Sequence, residues 1–253
     1  MILGSGLLTA SGKTRLTLYT TKSGTFNPTI VASDTSGIVW DFGDGSATYT
    51  GGTPSHSYAD SAQKTVRITF DDPALVTELK FQSMSMAGEW PLSSLVPFTA
   101  LTHFYAYTND SLNVSGDLLL LPSVLQYLRI EASLSTVHGY MSDLPPALRE
   151  IRANDSHVEI SGGSTAILAT GLRVIFLYTN DLSQAQLDSI LYRLYTDRAT
   201  FTYATPAAVI GGTNPDPSGT YQDATPPTTG LEYAYKLVND PDTEGFHKWT
   251  ITY

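Results

Sequence analysis

Five segments of the chain share one spacing of apolar residues, apolar-x-x-apolar-x-apolar, and they recur at intervals of 25, 24, 23 and 24 residues. Each segment is too short for a helix and has the form of a short strand that buries alternate side chains. A period in the low twenties predicts a stack of similar coils. The apolar positions, unit by unit, are Val76/Leu79/Phe81, Leu101/Phe104/Ala106, Leu125/Leu128/Ile130, Leu148/Ile151/Ala153 and Leu172/Ile175/Leu177.

This pattern is the signature of leucine-rich repeats, and it predicts a short solenoid over residues 73–198. Each unit should place one strand on a concave side and return over a convex side. The returns are rich in Gly, Pro and Ser, so we expect turns, 3₁₀ pieces or extended segments there. The asparagine that follows the strand in such repeats is present as Asn109 and Asn180. In the other three units it is replaced by Met84, Ser133 and Ser156.

Before the repeats, residues 1–72 alternate between apolar and polar positions in short runs separated by Gly, Pro, Asn and Asp. Runs of this length and spacing predict a small antiparallel sandwich. Pro73 should end the sandwich and join it to the repeats with little linker. The predicted strands are Arg15–Thr20, Thr29–Ala32, 37–42, 47–50 and Lys64–Phe70.

After the repeats, apolar residues at helical spacing follow Ser183, which is a good N-cap. A helix there should cover the end of the stack. Residues 199–253 are predicted to complete this cap. We expect a strand at 200–203, a loop at 211–229, a helix at 230–238 and a final strand at 247–253, with Trp249, Ile251 and Tyr253 on one face that packs on the last repeat.

Composition narrows the possible functions. Charged residues make up 15% of the 253 residues, and the net charge is −10. An acidic chain repels phosphate backbones, so neither nucleic-acid binding nor binding to an anionic membrane surface is expected. The absence of cysteine excludes disulfides and cysteine metal sites. No apolar run reaches the length of a membrane span, and no secretory signal is recognisable at the start of the sequence.

Within the sandwich, Trp40-Asp41-Phe42-Gly43-Asp44-Gly45 is followed by His56-Ser57-Tyr58 and an alternating strand. This order resembles the PKD type of immunoglobulin-like domain over about 60 residues. Asp41 and Asp44 raise the hypothesis of a calcium site. Two carboxylates are few for calcium, and aspartates in turns commonly accept backbone hydrogen bonds, so we favour turn chemistry.

The positions between the buried strand residues should form columns on the concave face. Tyrosine and arginine side by side suit glycan stacking or protein contact, because both give large contact area with polar groups at the end. Alternatively, these side chains pack along the sheet and only stabilise it. The candidate binding residues are Tyr105, Tyr107, Tyr127, Arg129, Arg152, Phe176 and Tyr178.

Other chemistry has little support in the sequence. The five histidines show no H-x-H or H-x-x-x-H spacing, and no G-x-S-x-G elbow is present. Gly12-Lys13-Thr14 resembles the end of a phosphate loop, but the first glycine is misplaced. The concave-face glutamates Glu78, Glu131 and Glu150 would lie in the open rather than in a cleft. We therefore expect no catalytic residues, no metal and no cofactor.

The C-terminal motifs, including GGTNPDPSG and GFHKWTITY, resemble those of leucine-rich-repeat proteins in tailed-phage genomes. The resemblance implies a mainly β fold: a PKD-like sandwich at 1–72, the solenoid at 73–198 and a helix-containing cap at 199–253. It also implies a non-enzymatic virion protein (a head decoration, fibre or tail adhesin component) in contact with other virion proteins, in multiple copies, or with a host-surface glycan or protein. The alternative is a bacterial cell-surface or secreted protein that binds glycan or protein.

Overall fold

The fold was analysed in a computed structural model that describes residues 7–8, 12–131, 134–155, 157–163, 168–239 and 247–253. Its strands form two large sheets, which we call sheet I and sheet II, and one small antiparallel pair. The eight strands before the repeats are β1 (Leu7–Leu8), β2 (Thr14–Thr20), β3 (Gly24–Phe26), β4 (Thr29–Ala32), β5 (Ile38–Asp41), β6 (Tyr49–Thr50), β7 (His56–Tyr58) and β8 (Lys64–Phe70).

These strands form an antiparallel sandwich. In sheet I, β2 pairs with β8 along its whole length, and β8 pairs with β5, which pairs with β6. Strand β4 begins sheet II, and β3 pairs with β7. Trp40 is fully buried between the layers, as its place in an alternating strand predicts. All five predicted strands are present, two of them with the predicted bounds, whereas β3 and β7 were not predicted as strands.

The turn after β5 explains the glycine in the Trp40–Gly45 motif. Gly43 has φ of 75°, and a Cβ atom there would lie 2.2 Å from the carbonyl oxygen of Thr65. Only glycine fits a position with positive φ this close to a neighbouring backbone. The motif therefore fixes how the hairpin crosses the adjacent strand β8.

The repeats contribute strands to both sheets in alternation, and two α-helices follow. The remaining elements are β9 (Val76–Lys80), β10 (Met86–Pro91), β11 (His103–Tyr105), β12 (Ser111–Asp117), β13 (Tyr127–Arg129), β14 (Thr136–Tyr140), β15 (Glu150–Arg152), β16 (Glu159–Ser161), β17 (Val174–Phe176), α1 (Gln184–Thr196), β18 (Ala207–Val209), α2 (Gly230–Asn239) and β19 (Thr250–Thr252).

Both sheets run from the sandwich into the repeats. Sheet II has the order β19-β18-β17-β15-β13-β11-β9-β4, and sheet I continues from β2 through β10, β12, β14 and β16. Neighbouring repeat strands are parallel, while β4–β9 and β2–β10 are antiparallel. Sheet II also crosses residues 198/199, since β18 and β19 extend it. One hydrophobic core therefore continues across both predicted domain boundaries.

The core of the repeats lies between the two sheets. All fifteen apolar positions of the repeating pattern are at most 1% exposed. Large aromatic side chains fill the first coils, where Trp90 packs edge-on against Phe81 and Phe104 at ring distances of 5.2 and 5.0 Å. The parallel strands of sheet I were not predicted as such, because segments such as Ser111–Asp117 bury only two side chains among Ser, Asn and Gly.

Buried asparagines hold successive coils together. Asn109 Oδ1 accepts hydrogen bonds from the backbone N–H groups of Met84 and Met86, and its Nδ2 donates to the carbonyl oxygens of Phe81 and Ala106. Asn180 Nδ2 donates to the carbonyl of the same unit, at Leu177. Ser133 and Ser156, the replacements in two units, lie outside the described residues.

Asn214 has the same function one coil further on, although its role was not predicted from the sequence. Its Oδ1 accepts from the N–H groups of Asn180 and Leu182, and its Nδ2 donates to Leu177 and Ile210 at 2.9 and 2.7 Å. It was missed because β18 follows β17 after a longer interval, which contains α1. The asparagine therefore falls outside the period of about 24 residues seen in the earlier units.

The C-terminal part closes the stack with helices and a pinned loop. Helix α1 starts at the predicted cap Ser183, and the backbone N–H of Gly162, just after β16, donates to Ser189 of α1 at 2.8 Å. The Pro- and Thr-rich loop is held by Glu232 of α2, which accepts from the N–H groups of Thr228 and Thr229. These bonds lower the pKa of Glu232 to about 2, chiefly through the backbone of Thr228.

Two predictions for the C-terminal part are wrong. Residues 200–203 form no strand, because the N–H and hydroxyl of Thr200 both donate to the carbonyl of Asp197 in a 3₁₀ turn after α1. Trp249 is buried against Phe201 and Ile251 packs on the core, but Tyr253 is 41% exposed. The last strand therefore buries fewer side chains than its alternation suggests.

Candidate binding face

The outward side chains of sheet II form three columns that run across the strands, and we call this surface the sheet II face. Strand register defines the first two columns, and backbone hydrogen bonds just beyond the strands align the third. Its columns are Glu78/His103/Tyr127/Glu150/Val174, Lys80/Tyr105/Arg129/Arg152/Phe176 and Gln82/Tyr107/Glu131/Asn154/Tyr178.

The alternation of the strands produces this face. Leu79 and Phe81 point into the core, so Glu78, Lys80 and Gln82 point outward, and every unit repeats the pattern. Neighbouring strands lie about 4.8 Å apart, so side chains of one column touch. All seven predicted site residues lie on this face and are half-buried by one another.

Arg129 stands at the centre of the face. Its guanidinium lies 4.3 Å from the ring centre of Tyr107 and 5.6 Å from that of Tyr105. It also donates to Glu131 at 2.6 Å and lies 3.9 Å from Glu150. A guanidinium stacked on an aromatic ring and paired with a carboxylate is held in one position, which pre-organises the surface.

A second arginine repeats the arrangement. Arg152 lies 4.3 Å from the ring centre of Phe176, and its Nε donates to Glu150 at 2.6 Å. Glu150 thus stands between two arginines from adjacent strands. The two arginines and two glutamates alternate along the face, so their charges largely neutralise one another.

At the other side of the face, His103 stacks on Tyr127 with ring centres 4.5 Å apart and planes 16° from parallel. The hydroxyl of Tyr127 accepts a hydrogen bond from Arg173 at 3.0 Å. Burial lowers the pKa of His103, which the nearby Glu78 opposes in part. Burial also raises the pKa of the adjacent Tyr105.

Arg173 also belongs to the face, although it was not predicted from the sequence. It packs over the rings of both Tyr127 and Tyr203 and extends the aromatic surface by one side chain. It directly follows Leu172, the first apolar position of its unit. The same position in other units holds Thr102, Gln126 and Arg149. If the residues that follow the first apolar position of each unit had also been aligned as a column, Arg173 could have been predicted from the sequence.

Two oxygens on the face have no hydrogen-bond partner. Gln82 Oε1 and Glu131 Oε2 are buried acceptors without a donor among the described residues. Both lie in the third column, one on each side of Tyr107. Buried acceptors in proteins are nearly always paired with protein or water. These two therefore indicate a place where a donor from outside the chain can bind.

The aspartates of the sandwich turn make local bonds. Asp41 Oδ1 accepts from the N–H of Gly43 at 2.9 Å, and Asp44 Oδ1 accepts from the N–H of Ser46 at 3.0 Å. The hydrogen bonds from Ser46 are the main reason that the pKa of Asp44 is lowered to about 2, with His56 adding to the effect. Their other carboxylate oxygens face Arg67 and His56. This is the geometry of hydrogen-bonded turns.

Among the residues that the structure describes, no cluster of three or more His, Asp or Glu side chains could hold a metal ion. Within the same residues no helix has the length and apolar character needed to cross a bilayer. Gly12-Lys13-Thr14 leads into strand β2 rather than into a helix, and Lys13 pairs with Asp71 at 2.7 Å. A phosphate loop needs a helix N-terminus after it, so this segment does not have that architecture.

Comparison with known proteins identifies the N-terminal part. A family model described as PKD domain matches residues 12–79, a range that includes β2 to β8 and nearly all of β9, the first strand of the repeats. Neither the curated proteins nor the solved structures gave a significant match. The N-terminal sandwich of this chain is thus an immunoglobulin-like domain of the PKD type.

Proposed function

We propose that this protein is a non-enzymatic recognition protein that binds a glycan or another protein through the sheet II face. The observation that carries the proposal is the contrast between the outward faces of the two sheets. Aromatic and arginine side chains are concentrated on sheet II, whereas the outward positions of β12 and β14 in sheet I are mostly small and polar. Aromatic and arginine residues dominate the energetics of recognition surfaces.

We further propose that the repeats are degenerate leucine-rich repeats. Their period of about 24 residues, their buried apolar pattern and the bonding of Asn109 and Asn214 to the preceding coil support this assignment. In such solenoids each unit adds a fixed increment to an extended surface, which suits a large or repetitive partner.

The proposed location is the surface of a tailed-phage particle, as a head decoration, a fibre or a tail adhesin component present in multiple copies. The supporting observations are the order of the modules and the C-terminal motifs GGTNPDPSG and GFHKWTITY. The alternative is a bacterial cell-surface or secreted binding protein. The PKD domain favours the phage location and this alternative equally, because this domain type is a general adhesion module.

Mass spectrometry of purified particles tests the location. Peptides of this chain should be present in intact particles of the phage that encodes it. Their absence from particles, together with their presence in the host envelope or medium, would favour the alternative.

A double substitution tests the face. Tyr105→Ala with Tyr107→Ala should abolish binding to the partner while the unfolding transition stays two-state with little change in Tm. Tyr140→Ala is the matched control, since Tyr140 is 53% exposed on sheet I. If the double variant keeps full binding, or if the control loses as much, the sheet II face is not the recognition surface.

A further inference from the structure

The third column of the sheet II face combines unpaired hydrogen-bond acceptors with spaced tyrosines, and together these indicate a class of ligand. Gln82 Oε1 and Glu131 Oε2 are buried acceptors without a donor among the described residues, and backbone hydrogen bonds just beyond the strands align Gln82 and Glu131 on either side of Tyr107. Both belong to half-buried side chains at the surface. The terminal torsion of Gln and Glu turns easily, so a small rotation brings either oxygen to a bound molecule.

Both unpaired atoms are oxygens, which accept hydrogen bonds and do not donate them. Carboxylates are acceptors only, and Gln82 leaves its carbonyl oxygen unsatisfied. A ligand that fits here must therefore bring donors such as hydroxyl, amide or ammonium groups. An acceptor-only ligand would leave the carboxylate oxygen of Glu131 unpaired, whichever way the amide of Gln82 turns, and would bind with a penalty.

The charges of the face argue against an anionic ligand. Lys80 is paired with Glu78, Arg129 with Glu131, and Arg152 with Glu150. Within the three columns, a carboxylate, sulfate or phosphate would have to break one of these pairs to reach a cation, and Arg173 beside the columns is held by Tyr127 and Tyr203. The whole chain carries a net charge of −10, which further disfavours a polyanion.

The spacing of the aromatic residues in the column indicates the direction in which a bound ligand would lie. Tyr107 and Tyr178 are separated by Glu131 and Asn154, so three strand spacings of about 4.8 Å lie between the two aromatic residues. Tyr178 is half-buried at the far end of the column. Aromatic residues at intervals, with acceptors between and beside them, form an extended track across the strands.

We infer that this column, Gln82 to Tyr178, binds a neutral, hydroxyl-rich glycan chain that lies across the strands. The apolar faces of its sugar rings pack on the tyrosines, and its hydroxyl groups donate to Gln82 and Glu131. The inference rests on the proposed function, because it names the ligand class of the same face. A cationic peptide would also bring donors, but it lacks the rigid flat rings that suit spaced aromatic side chains.

Calorimetric titration of the full-length protein tests the inference. The probes are short linear oligomers of glucose (α- and β-linked), mannose and N-acetylglucosamine, with oligogalacturonate as the anionic probe and oligolysine as the cationic one. Saturable binding to at least one neutral oligomer is expected. Binding only to the anionic or cationic probe, or to none of the neutral oligomers, would overturn it.

Substitutions assign the binding to the column. Gln82→Met removes an unpaired acceptor at similar volume, so affinity for the neutral oligomer should fall about tenfold while Tm stays equal or rises. Tyr178→Ala should weaken binding as well. Gln63→Met makes the same chemical change at an exposed site of the sandwich and should change neither quantity. Unchanged affinity in both column variants would refute the assignment.

The outcomes also separate this inference from the proposed function. If the Tyr105/Tyr107 double variant loses binding to particles or cells but no neutral oligomer binds, the face recognises another partner and only the glycan inference fails. If neutral oligomers bind and neither the Tyr105/Tyr107 double variant nor the column variants change their affinity, the oligomers bind elsewhere on the protein. Both the glycan inference and the proposed role of the sheet II face would then be refuted.

Discussion

The two outward faces of the repeat stack are built from the same coils but carry different chemistry. On sheet II the outward side chains are large, aromatic or charged, and they bury one another through stacking and ion pairs. On sheet I the outward positions of β12 and β14 are mostly small and polar, and their contacts are single hydrogen bonds, such as the bond from Thr136 to Asn113 at 3.1 Å. Packing of the core requires neither set, so the difference is consistent with the binding role that we propose for the sheet II face.

This difference shows that the residues that hold the coils together are distinct from the residues that give each outward face its chemistry. The residues that hold the coils together, such as Asn109, lie between the sheets and serve both faces equally. The residues that distinguish the faces lie outside the core and can be changed one at a time. Substitutions therefore fall into three groups: those that affect both faces, those that affect only sheet II, and controls on sheet I.

The largest effect is expected from Asn109→Ala. Asn109 is 1% exposed, and its loss leaves two backbone N–H groups and two carbonyl groups without their partner. Each buried unpaired group costs about 1–3 kcal/mol, and partial relaxation leaves an expected loss of about 3 kcal/mol in the free energy of unfolding. Urea titration measures it. Asn113→Ala, on the outer face of sheet I, should cost less than about 1 kcal/mol, and equal losses would contradict the assignment of Asn109 to the scaffold.

The sequence predicted the apolar positions of the repeats but only half of their strands. The strands of sheet II have a strict pattern that includes Leu79, Phe104, Leu128 and their neighbours. The repeat strands of sheet I bury one or two side chains each, and parallel pairing with adjacent coils supplies the rest of their stability. Ile160 in β16, for example, is the single buried residue of a three-residue strand. Such strands have no alternating apolar pattern in the local sequence from which they could be predicted.

The candidate site, too, could be predicted only in part from the sequence. The columns follow from the repeat period, so Tyr105, Arg129 and Phe176 could be placed on one face from the sequence alone. The pairing of Glu150 with arginines of two strands could not, since it depends on side-chain conformations. Nor could the unpaired oxygens of Gln82 and Glu131, because an absent partner is visible only when all neighbours are placed.

A moderate effect is expected from Glu150→Gln on the sheet II face. The substitution keeps the shape but removes the charge that Arg152 contacts at 2.6 Å and that Arg129 approaches at 3.9 Å. A partly buried surface pair of this kind is worth about 1 kcal/mol, so the free energy of unfolding should fall by about that amount at low salt and by less at high salt. Glu159→Gln on the exposed edge strand of sheet I is the control and should have little effect. A loss that does not depend on salt would argue against an electrostatic origin.

The smallest effect concerns pH and compares one histidine from each face. Burial against Tyr127 lowers the pKa of His103, so the native state binds the proton less readily than the unfolded chain, whose histidine pKa is about 6.5. The contribution of His103 is therefore fully present above about pH 6.5 and is lost as the pH falls through its lower native value. His103→Gln should flatten the decline in the free energy of unfolding below pH 6.5, measured by urea titration at successive pH values. His138→Gln makes the same chemical change at an exposed histidine of sheet I and is the reference for the substitution itself. An identical decline in the His103 variant would mean that the sheet II face does not bury this imidazole as closely as its stacking on Tyr127 requires.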